Sequence, residues 1–149
     1  HASRGEIDKD LLEKLNDLPF YKEGAPKSLG LEWVQEKIFP IIDSYNLETE
    51  NVLRTFVEHV AIQIAEKIKD KGTVLVTGGG VFNSFLMQRV NLLTNSEIII
   101  PNKQVVDYKE ALIFAFLGVL RVDNQVNCLS SVTGASRDHS SGQICTPEK

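Results

Sequence analysis

The stretch from Thr73 to Arg89 constrains the fold of this chain more than any other. Its sequence is TVLVTGGGVFNSFLMQR. The segment 73–77 is rich in β-branched and apolar residues, which predicts a buried strand. Three glycines follow, and apolar residues then recur at helical spacing up to residue 93, which predicts a helix with one buried face. The residues on this face are Val81, Phe82, Phe85, Leu86, Val90 and Leu93.

The three glycines between this strand and helix, Gly78, Gly79 and Gly80, allow two interpretations. Because glycine has no Cβ, a ligand can lie against bare backbone, and the helix start offers N–H groups suited to a phosphate or a polarised hydroxyl. Alternatively, the glycines only form a tight corner. The spacing matches neither the G-x-G-x-x-G dinucleotide fingerprint nor a P-loop. A nucleotide or sugar site and a simple turn therefore both remain open.

Composition excludes several classes of protein. With 149 residues, 42% of them hydrophobic, the chain is predicted to form one soluble domain with a real core. A net charge of −4 with scattered lysines argues against a nucleic-acid partner, and the longest apolar run, 111–120, is too short to span a membrane. Cys128 and Cys145 lack metal-ligand and C-x-x-C spacing, and no signal peptide opens the chain. We therefore expect free thiols, no metal site and a cytoplasmic location.

The first third of the chain is predicted to be helical. Residues 1–5 are interpreted as a tag or cut end and are left out of the fold. Asp8 is predicted to cap a helix over 9–18 that Pro19 ends, and a loop should follow up to residue 27. Ser28 is the predicted cap of a second helix, with a proline near its end.

The longest helical pattern covers residues 50–71, with Gly72 ending the helix. His59 lies within this pattern, next to the apolar stripe. A lone histidine at such a position is typical of a core or flanking residue, since a metal site needs partners at defined spacing. We therefore expect His59 to be structural.

The last third begins with a second short strand, 97–100. Asp107 or Tyr108 is then expected to begin a helix that runs to about Val122, with Asp107 as its N-cap. This helix is apolar nearly all round, which predicts burial on most sides.

The tail, 127–149, is rich in Ser, Thr and Gly and is predicted to be a loop or partly disordered. It contains Asp138, His139 and Ser140, the residue types of a catalytic triad. A triad is a spatial arrangement, however, and adjacency in sequence is no evidence for one.

The order of elements, helices followed by strand–helix–strand–helix, predicts an α/β domain with a small parallel sheet and a right-handed crossover. Two strands make a marginal sheet, and the helices carry more apolar surface than two strands can cover. We therefore expect further strands to pair with this sheet from a segment N-terminal to His1. The sequence is interpreted as part of a longer protein.

Four segments of the chain resemble one family, the anhydro-N-acetylmuramic acid kinases. They are PKSLGLEW at 26–33, VLVTGGGVFNSFLM at 74–87, VVDYKEALIFAFLG at 105–118 and NCLSSVTGA at 127–135. The order and spacing of the four segments make the resemblance more specific than the glycines alone. It covers the chain from about residue 5 to about residue 142 and corresponds to the C-terminal part of that family.

The resemblance implies a fold and an activity. The fold class is α/β, the C-terminal lobe of a ribonuclease-H-like, actin-type ATPase fold, helix-rich with a small parallel sheet; residues 6–126 would form this lobe and 127–149 the tail. Such enzymes use ATP and water to open the ring of 1,6-anhydro-N-acetylmuramic acid and phosphorylate its 6-oxygen during recycling of bacterial cell-wall sugar. The resemblance also implies a homodimer.

The resemblance further implies roles for single residues. Gly78, Gly79 and Gly80 would approach the nucleoside end of ATP, and Asn83 stands where the family has a small polar residue. Glu110 resembles the acidic residue that lines the sugar side of the cleft, and its own position predicts the first turn of a helix, where the dipole favours a carboxylate. Mg²⁺ and the ATP phosphates would be held mainly by the N-terminal lobe, which also carries the catalytic aspartate, so the fragment alone is expected to be inactive.

One segment departs from the family pattern. Ala25, Leu29 and Leu31 stand where proline, threonine and arginine are common. We therefore expect no ligand role for this segment and retain Ser28 as a helix cap. The alternative function is an actin-like nucleotide-binding module without catalysis, because such folds carry many functions.

Overall fold

The computed structural model describes residues 1–24 and 27–145. The chain divides into two compact units, His1–Val106 and Asp107–Lys149, with the boundary inside one long helix. The predicted loop positions Ala25 and Pro26 and the end of the tail, 146–149, lie outside the described residues. In chain order the elements are a 3-10 turn (Ala2–Arg4), α1 (Lys9–Asn16), α2 (Pro19–Lys22), α3 (Leu31–Trp33), a π turn (Val34–Ile38), α4 (Phe39–Asp43), α5 (Thr49–Ile68), β1 (Thr73–Leu75), a second 3-10 turn (Gly79–Phe82), α6 (Ser84–Leu93), β2 (Glu97–Ile99), α7 (Lys103–Val122) and α8 (Ser130–Thr133).

The first helix, α1, begins as predicted. The Oδ1 atom of Asp8 accepts a hydrogen bond from the backbone N–H of Leu11 at 2.8 Å, which satisfies one of the N–H groups at the helix start. The helix ends at Asn16, two residues early, and Pro19 is the first residue of α2. The predicted loop after Pro19 is therefore wrong for its first residues. Proline suits this position because its fixed φ is helical and a first-turn N–H needs no partner within the helix.

The next helical segment runs from α3 through the π turn into α4. It begins after Gly30 without a side-chain cap, so the prediction of Ser28 as its cap is wrong. The segment runs three residues past Pro40, because α4 continues to Asp43. Proline lacks an N–H, and its ring crowds the carbonyl four residues earlier. The π turn before Pro40 is wider than an α-helical turn, so it accommodates both the missing N–H and the bulk of the ring.

The core of the first unit lies between α1, the π-turn segment and α5. Leu11, Leu15 and Ile38 are its fully buried members. Eight partly buried side chains pack around them: Leu18, Trp33, Val34, Ile41, Ile42, Tyr45, Leu47 and Phe56. Leu11 and Leu15 are four residues apart and therefore lie on the same, buried face of α1.

The C-terminus of α5 is fixed by side chains from the loop after α6. The helix ends at Ile68, three residues earlier than predicted, and Asp70 has a left-handed backbone with a φ of +58°. The N–H of Asp70 donates to Oδ1 of Asn95 at 3.0 Å, and the N–H of Lys71 donates to Oγ of Ser96 at 3.1 Å. The side chains of Asn95 and Ser96 thus accept from N–H groups that would bond to carbonyls of α5 if the helix continued. They also hold the start of β1 beside the start of β2.

The sheet consists of β1 and β2, which pair in parallel with Thr73 opposite Glu97 and Leu75 opposite Ile99. This confirms the predicted small parallel sheet. The prediction of a buried strand is wrong, because Leu75 is 60% exposed. In the part of the chain that the structure describes, no third strand joins this sheet, and both of its strands therefore have an unpaired edge.

Residues 1–5 contribute to the fold, although the sequence suggested leaving them out. The Arg4 guanidinium pairs with the Glu50 carboxylate at 2.7 Å. Gly5 lies so close to the backbone of Glu50 and Asn51 that a Cβ would clash there. The N–H of Glu6 donates to Oδ1 of Asn51 at 2.8 Å. This segment thus packs against the first turn of α5.

The long helix α7 begins at Lys103, four or five residues earlier than predicted. Asn102 supplies the cap, since its Oδ1 accepts from the N–H of Val105 at 3.0 Å, and Asp107 therefore lies inside the helix. The prediction of burial on most sides is wrong. The exposed large apolar side chains are Val105, Tyr108, Leu112, Ile113, Phe114, Phe116, Val119 and Val122. Despite this apolar surface, none of the described helices is both long and apolar enough to cross a bilayer.

The tail has more local order than its composition predicts. The backbones of Cys128 and His139 form an antiparallel bridge, and α8 lies inside the loop that this bridge closes. Asn127 closes the loop further by accepting from the N–H of Ser141 at 2.7 Å. Composition predicted a loop correctly, but it could not predict these cross-loop hydrogen bonds. Both cysteines are free thiols, as expected.

Candidate functional site

The glycine turn follows β1 at its carboxyl end. Gly78 has a φ of +95°, a conformation that favours glycine, and its carbonyl accepts from the N–H of Val81 at 3.1 Å. Gly79 and Gly80 have no positive φ, and a Cβ added to any of the three glycines would meet nothing within 4 Å. A tight corner therefore explains Gly78 but neither of the other two. The space beside the turn is open to a ligand.

The helix after the turn begins later than predicted. A 3-10 turn covers 79–82, and α6 starts at Ser84. The side chain of Asn83 is its N-cap, with Oδ1 accepting from the N–H of Leu86 at 3.1 Å. Of the predicted buried face, Val81 and Val90 are buried as expected, whereas Phe82 and Leu93 are 58% and 40% exposed. The 3-10 turn rotates Phe82 away from the face that α6 buries.

Thr77 joins β1 to the glycine turn and has an unusual side chain. Its hydroxyl oxygen is shielded from solvent and has no hydrogen-bond partner among the residues that the structure describes. A buried hydroxyl without a partner costs about 1–3 kcal/mol, so such groups are uncommon in native structures. The sequence signal for this residue was a polar side chain between an apolar strand and the glycines.

An ionic cluster attaches α6 to α5. The buried Glu58 carboxylate accepts two hydrogen bonds from the Arg89 guanidinium, both at 2.8 Å, and a third from Arg54 at 2.7 Å. The hydrogen bond from Arg89 is the main cause that lowers the pKa of Glu58, and the same bond raises the pKa of Arg89. Arg54 also lies over the ring of Phe85, in the first turn of α6, at 5.2 Å. The cluster thereby positions α6, the helix that follows the glycine turn.

This cluster is not visible in the sequence, because its members are far apart in the chain. Glu58 and Arg89 are 31 residues apart, and their side chains meet only through packing of α5 on α6. The usable signal was an i, i+4 pair, Arg54 and Glu58, on the predicted helix. Such pairs are usually exposed, so the pair by itself does not predict burial.

Glu110 lies in the second unit, on α7. The helix starts at Lys103, so Glu110 is about two turns from its N-terminus and outside the reach of the helix dipole. The prediction that Glu110 lies in the first turn of the helix is therefore wrong. The assignment of Glu110 to the sugar site depends on the family resemblance alone. The glycine turn belongs to the first unit.

His59 has the structural role that its position predicted. It is 2% exposed; its Nε2 accepts from the Tyr21 hydroxyl at 3.0 Å, and its Nδ1–H donates to Oδ1 of Asn16 at 2.7 Å. The same Oδ1 accepts from the amide of Gln63 at 2.9 Å, which fixes this arrangement. Burial lowers the pKa of His59 to about 4, so the ring is neutral. The described residues contain no group of three or more side chains suited to a metal ion.

Asp138, His139 and Ser140 do not form a triad. The carboxylate of Asp138 accepts from the hydroxyl and the N–H of Ser130 at 2.6 and 2.7 Å, and the hydroxyl is the main cause that lowers the pKa of Asp138. The Nδ1–H of His139 donates to the carbonyl of Arg137 at 3.1 Å. The aspartate thus binds Ser130, the first residue of α8, and does not orient the imidazole.

The described fold and glycine turn define a helix-rich α/β protein with a candidate ligand site at the carboxyl end of a parallel strand. The model of one protein family, anhydro-N-acetylmuramic acid kinase, matches residues 1–147. The chain therefore belongs to the anhydro-N-acetylmuramic acid kinase family. The match confirms the resemblance that the four sequence segments indicated.

Curated relatives carry the same name. A protein named anhydro-N-acetylmuramic acid kinase from Mannheimia succiniciproducens is 34% identical, and one from Actinobacillus pleuropneumoniae serotype 7 is 37% identical; each alignment covers 96% of this chain. One from Saccharophagus degradans is 31% identical over 98% of the chain. The chain spans about 42% of the length of each of these relatives.

Proposed function

We propose that this chain is the C-terminal part of an ATP-dependent kinase that opens 1,6-anhydro-N-acetylmuramic acid with water and phosphorylates it to N-acetylmuramic acid 6-phosphate, in recycling of cell-wall sugar. The family match over nearly the whole chain is the observation that carries this proposal. The proposed architecture is the C-terminal lobe of an actin-type ATPase, residues 6–126, followed by the tail. We further propose a cytoplasmic location and a homodimer.

The glycine turn is the proposed contact with ATP. Gly79 and Gly80 have open space on their side-chain face, so a ligand can lie against their backbone. The N–H groups that begin a 3-10 turn have no acceptor within it, so they are available to a ligand. Asn83 belongs to this site through its cap, which fixes where α6 begins. These features fit the nucleoside end of a nucleotide.

Glu110 is the proposed contact with the sugar. Its carboxylate would accept hydrogen bonds from the hydroxyl groups of the anhydro-sugar and so orient the ring. When bound, ATP would supply the phosphoryl group, and Mg²⁺ would neutralise the negative charge of the phosphates. The groups that hold Mg²⁺ and activate water are proposed to lie in the N-terminal part of the full-length kinase, so the present chain alone would be inactive.

The activity test uses the full-length kinase that contains this sequence. We expect ADP release to depend on added anhydro-N-acetylmuramic acid and to fall strongly in Glu110→Gln. Glu66→Gln, an exposed carboxylate on α5, is the control and should be unchanged. ATP binding without any response to the sugar would contradict the kinase proposal and support the alternative, an actin-like nucleotide-binding module. Unchanged ADP release in Glu110→Gln would remove only the role of Glu110.

The glycine turn has a separate test. Gly79→Ala introduces a Cβ into open space at an ordinary φ, so the melting temperature should not fall. The same Cβ should obstruct the nucleotide and raise KM for ATP, whereas Gly24→Ala, equally unhindered, should not. If Gly79→Ala leaves KM for ATP unchanged, the turn is a corner and not a nucleotide contact.

A further inference from the structure

A cavity of about 470 Å³ opens in the first unit between α5 and the segment from α2 to the π turn. Its walls include Phe20, Tyr21, Trp33, Phe56 and His59. Cavities of about 300–1,000 Å³ with mostly apolar walls and a few polar groups are the usual form of small-molecule sites.

The inner wall of the cavity is aromatic. The rings of Phe20 and Trp33 lie 4.9 Å apart between centroids, and Tyr21 meets Trp33 edge to face at 6.0 Å. The hydroxyl of Tyr21 is donated to His59, and both nitrogens of His59 have partners. The wall therefore presents mainly carbon and ring edges, which suits a flat apolar body.

The charged groups at the cavity all have one sign. Among its described lining residues the only permanently charged side chains are Lys27 and Lys67, and no carboxylate lines it. The Lys27 ammonium donates to the carbonyl of Phe20 at 2.6 Å and lies 4.5 Å from the centre of that ring, which fixes it beside the aromatic wall. An ammonium has three donors, so Lys27 keeps capacity for an anion.

The cavity and the glycine turn use different faces of α5. Phe56, Val60 and Ile64 line the cavity at helical spacing. Glu58, which pairs with α6, is two residues from Phe56 and so points about 200° away around the helix. A ligand in the cavity would therefore not compete with one at the glycine turn.

We propose that this cavity is a binding site for a small amphiphilic anion with an aromatic body and one carboxylate. The ring packs among Phe20, Trp33 and Phe56, and the carboxylate pairs with the ammonium groups of Lys27 and Lys67. This proposal does not depend on the proposed kinase function. The lysines supply selectivity for the anion over an uncharged molecule of the same shape.

The test uses 2-naphthoate as the probe and its uncharged analogue, 2-naphthamide. Trp33 is the only tryptophan of the chain, so the indole N–H gives a single, unambiguous NMR signal inside the cavity. We expect 2-naphthoate to shift this signal saturably and 2-naphthamide to bind at least about threefold more weakly, the scale of one exposed ion pair. No shift at probe concentrations of about 5 mM, or equal affinity for both probes, would overturn the proposal.

Two variants test the lysines. Lys67→Met keeps the apolar stem and removes the charge, so the affinity for 2-naphthoate should fall about threefold to fivefold while that for 2-naphthamide stays the same. Lys69→Met, an exposed lysine outside the cavity lining, is the matched control and should bind both probes as the unchanged chain does. If Lys69→Met weakens 2-naphthoate as much as Lys67→Met does, the attraction is a general surface effect and the proposed site is wrong.

Discussion

Two titratable side chains next to each other on α5 are buried in opposite ionisation states. His59 is neutral, because burial lowers its pKa and both ring nitrogens have neutral partners. Glu58 is charged, because two arginines donate to its carboxylate. The difference shows how neighbours decide whether a buried group keeps its charge. Each state predicts a different response to substitution and pH.

The first prediction concerns the pH dependence of stability. The folded pKa of His59, about 4, is below its ordinary value of 6.5, so the unfolded chain binds this proton more readily. Its contribution to the free energy of unfolding should be complete above pH 6.5 and decline as pH falls towards 4, by on the order of 3 kcal/mol. Urea unfolding between pH 4 and 7.5 measures this. His59→Gln should remove most of the slope.

His139→Gln is the control for this prediction, because His139 is a partly exposed histidine on the tail. Its pH slope should equal that of the unchanged chain. A slope that persists in His59→Gln would mean that other groups, such as the paired carboxylates, cause the acid sensitivity.

The second prediction concerns Glu58. Glu58→Gln leaves the guanidinium groups of Arg89 and Arg54, which are 23% and 14% exposed as side chains, without their counter-charge. Removing one partner of a buried pair typically costs about 3–5 kcal/mol; since these arginines reach some solvent, we expect about 2–3 kcal/mol. Chemical denaturation gives the value. Glu66→Gln on the exposed side of the same helix should change stability by less than about 0.5 kcal/mol, and a similar loss there would contradict the argument.

At the scale of elements, the sequence predicted which segments are helical better than where most of those helices begin or end. The cap by Asp8 depends on contacts within four residues, and the sequence showed it. The predicted caps at Ser28 and Asp107 were wrong, and one helical segment runs past Pro40. At each place several residues could begin or end a helix. Packing, a π turn and the better-placed Asn102 decided between them.

The third prediction concerns the cap of α6. Asn83→Ala removes the acceptor for the N–H of Leu86 and should lower the free energy of unfolding by about 1 kcal/mol. Asn83→Asp keeps an acceptor at the same position and should restore most of the loss. Thermal or urea unfolding of the two variants separates the cap from other roles of Asn83. Equal destabilisation by both substitutions would mean that the amide N–H₂ group, and not the cap, is what matters.

At the scale of the whole molecule, the sequence predicted the glycine turn but not its surroundings. A strand, three glycines and a helix are contiguous, so the pattern is visible in one line of sequence. The unpartnered hydroxyl of Thr77 and the cluster around Glu58 depend on packing between distant segments, which no spacing rule shows. The prediction that β1 and α7 are buried was wrong for a related reason. Their apolar composition predicts a covering surface, and the described chain leaves Leu75 and most of α7 exposed.

The last prediction follows from that exposed surface. Leu112 and Phe114 on α7 are 72% and 71% exposed. They are two residues apart on a helix and so point to different sides of it, which leaves large apolar side chains exposed on more than one face of α7. We expect the 149-residue chain to enhance the fluorescence of an anilinonaphthalene dye and to associate as its concentration rises, as sedimentation velocity would show. The paired substitution Leu112→Gln and Phe114→Gln should weaken both effects, whereas Lys109→Gln on the same helix should not. If the chain stays monomeric and does not enhance the dye fluorescence at about 100 μM, other parts of the molecule must cover α7 in solution.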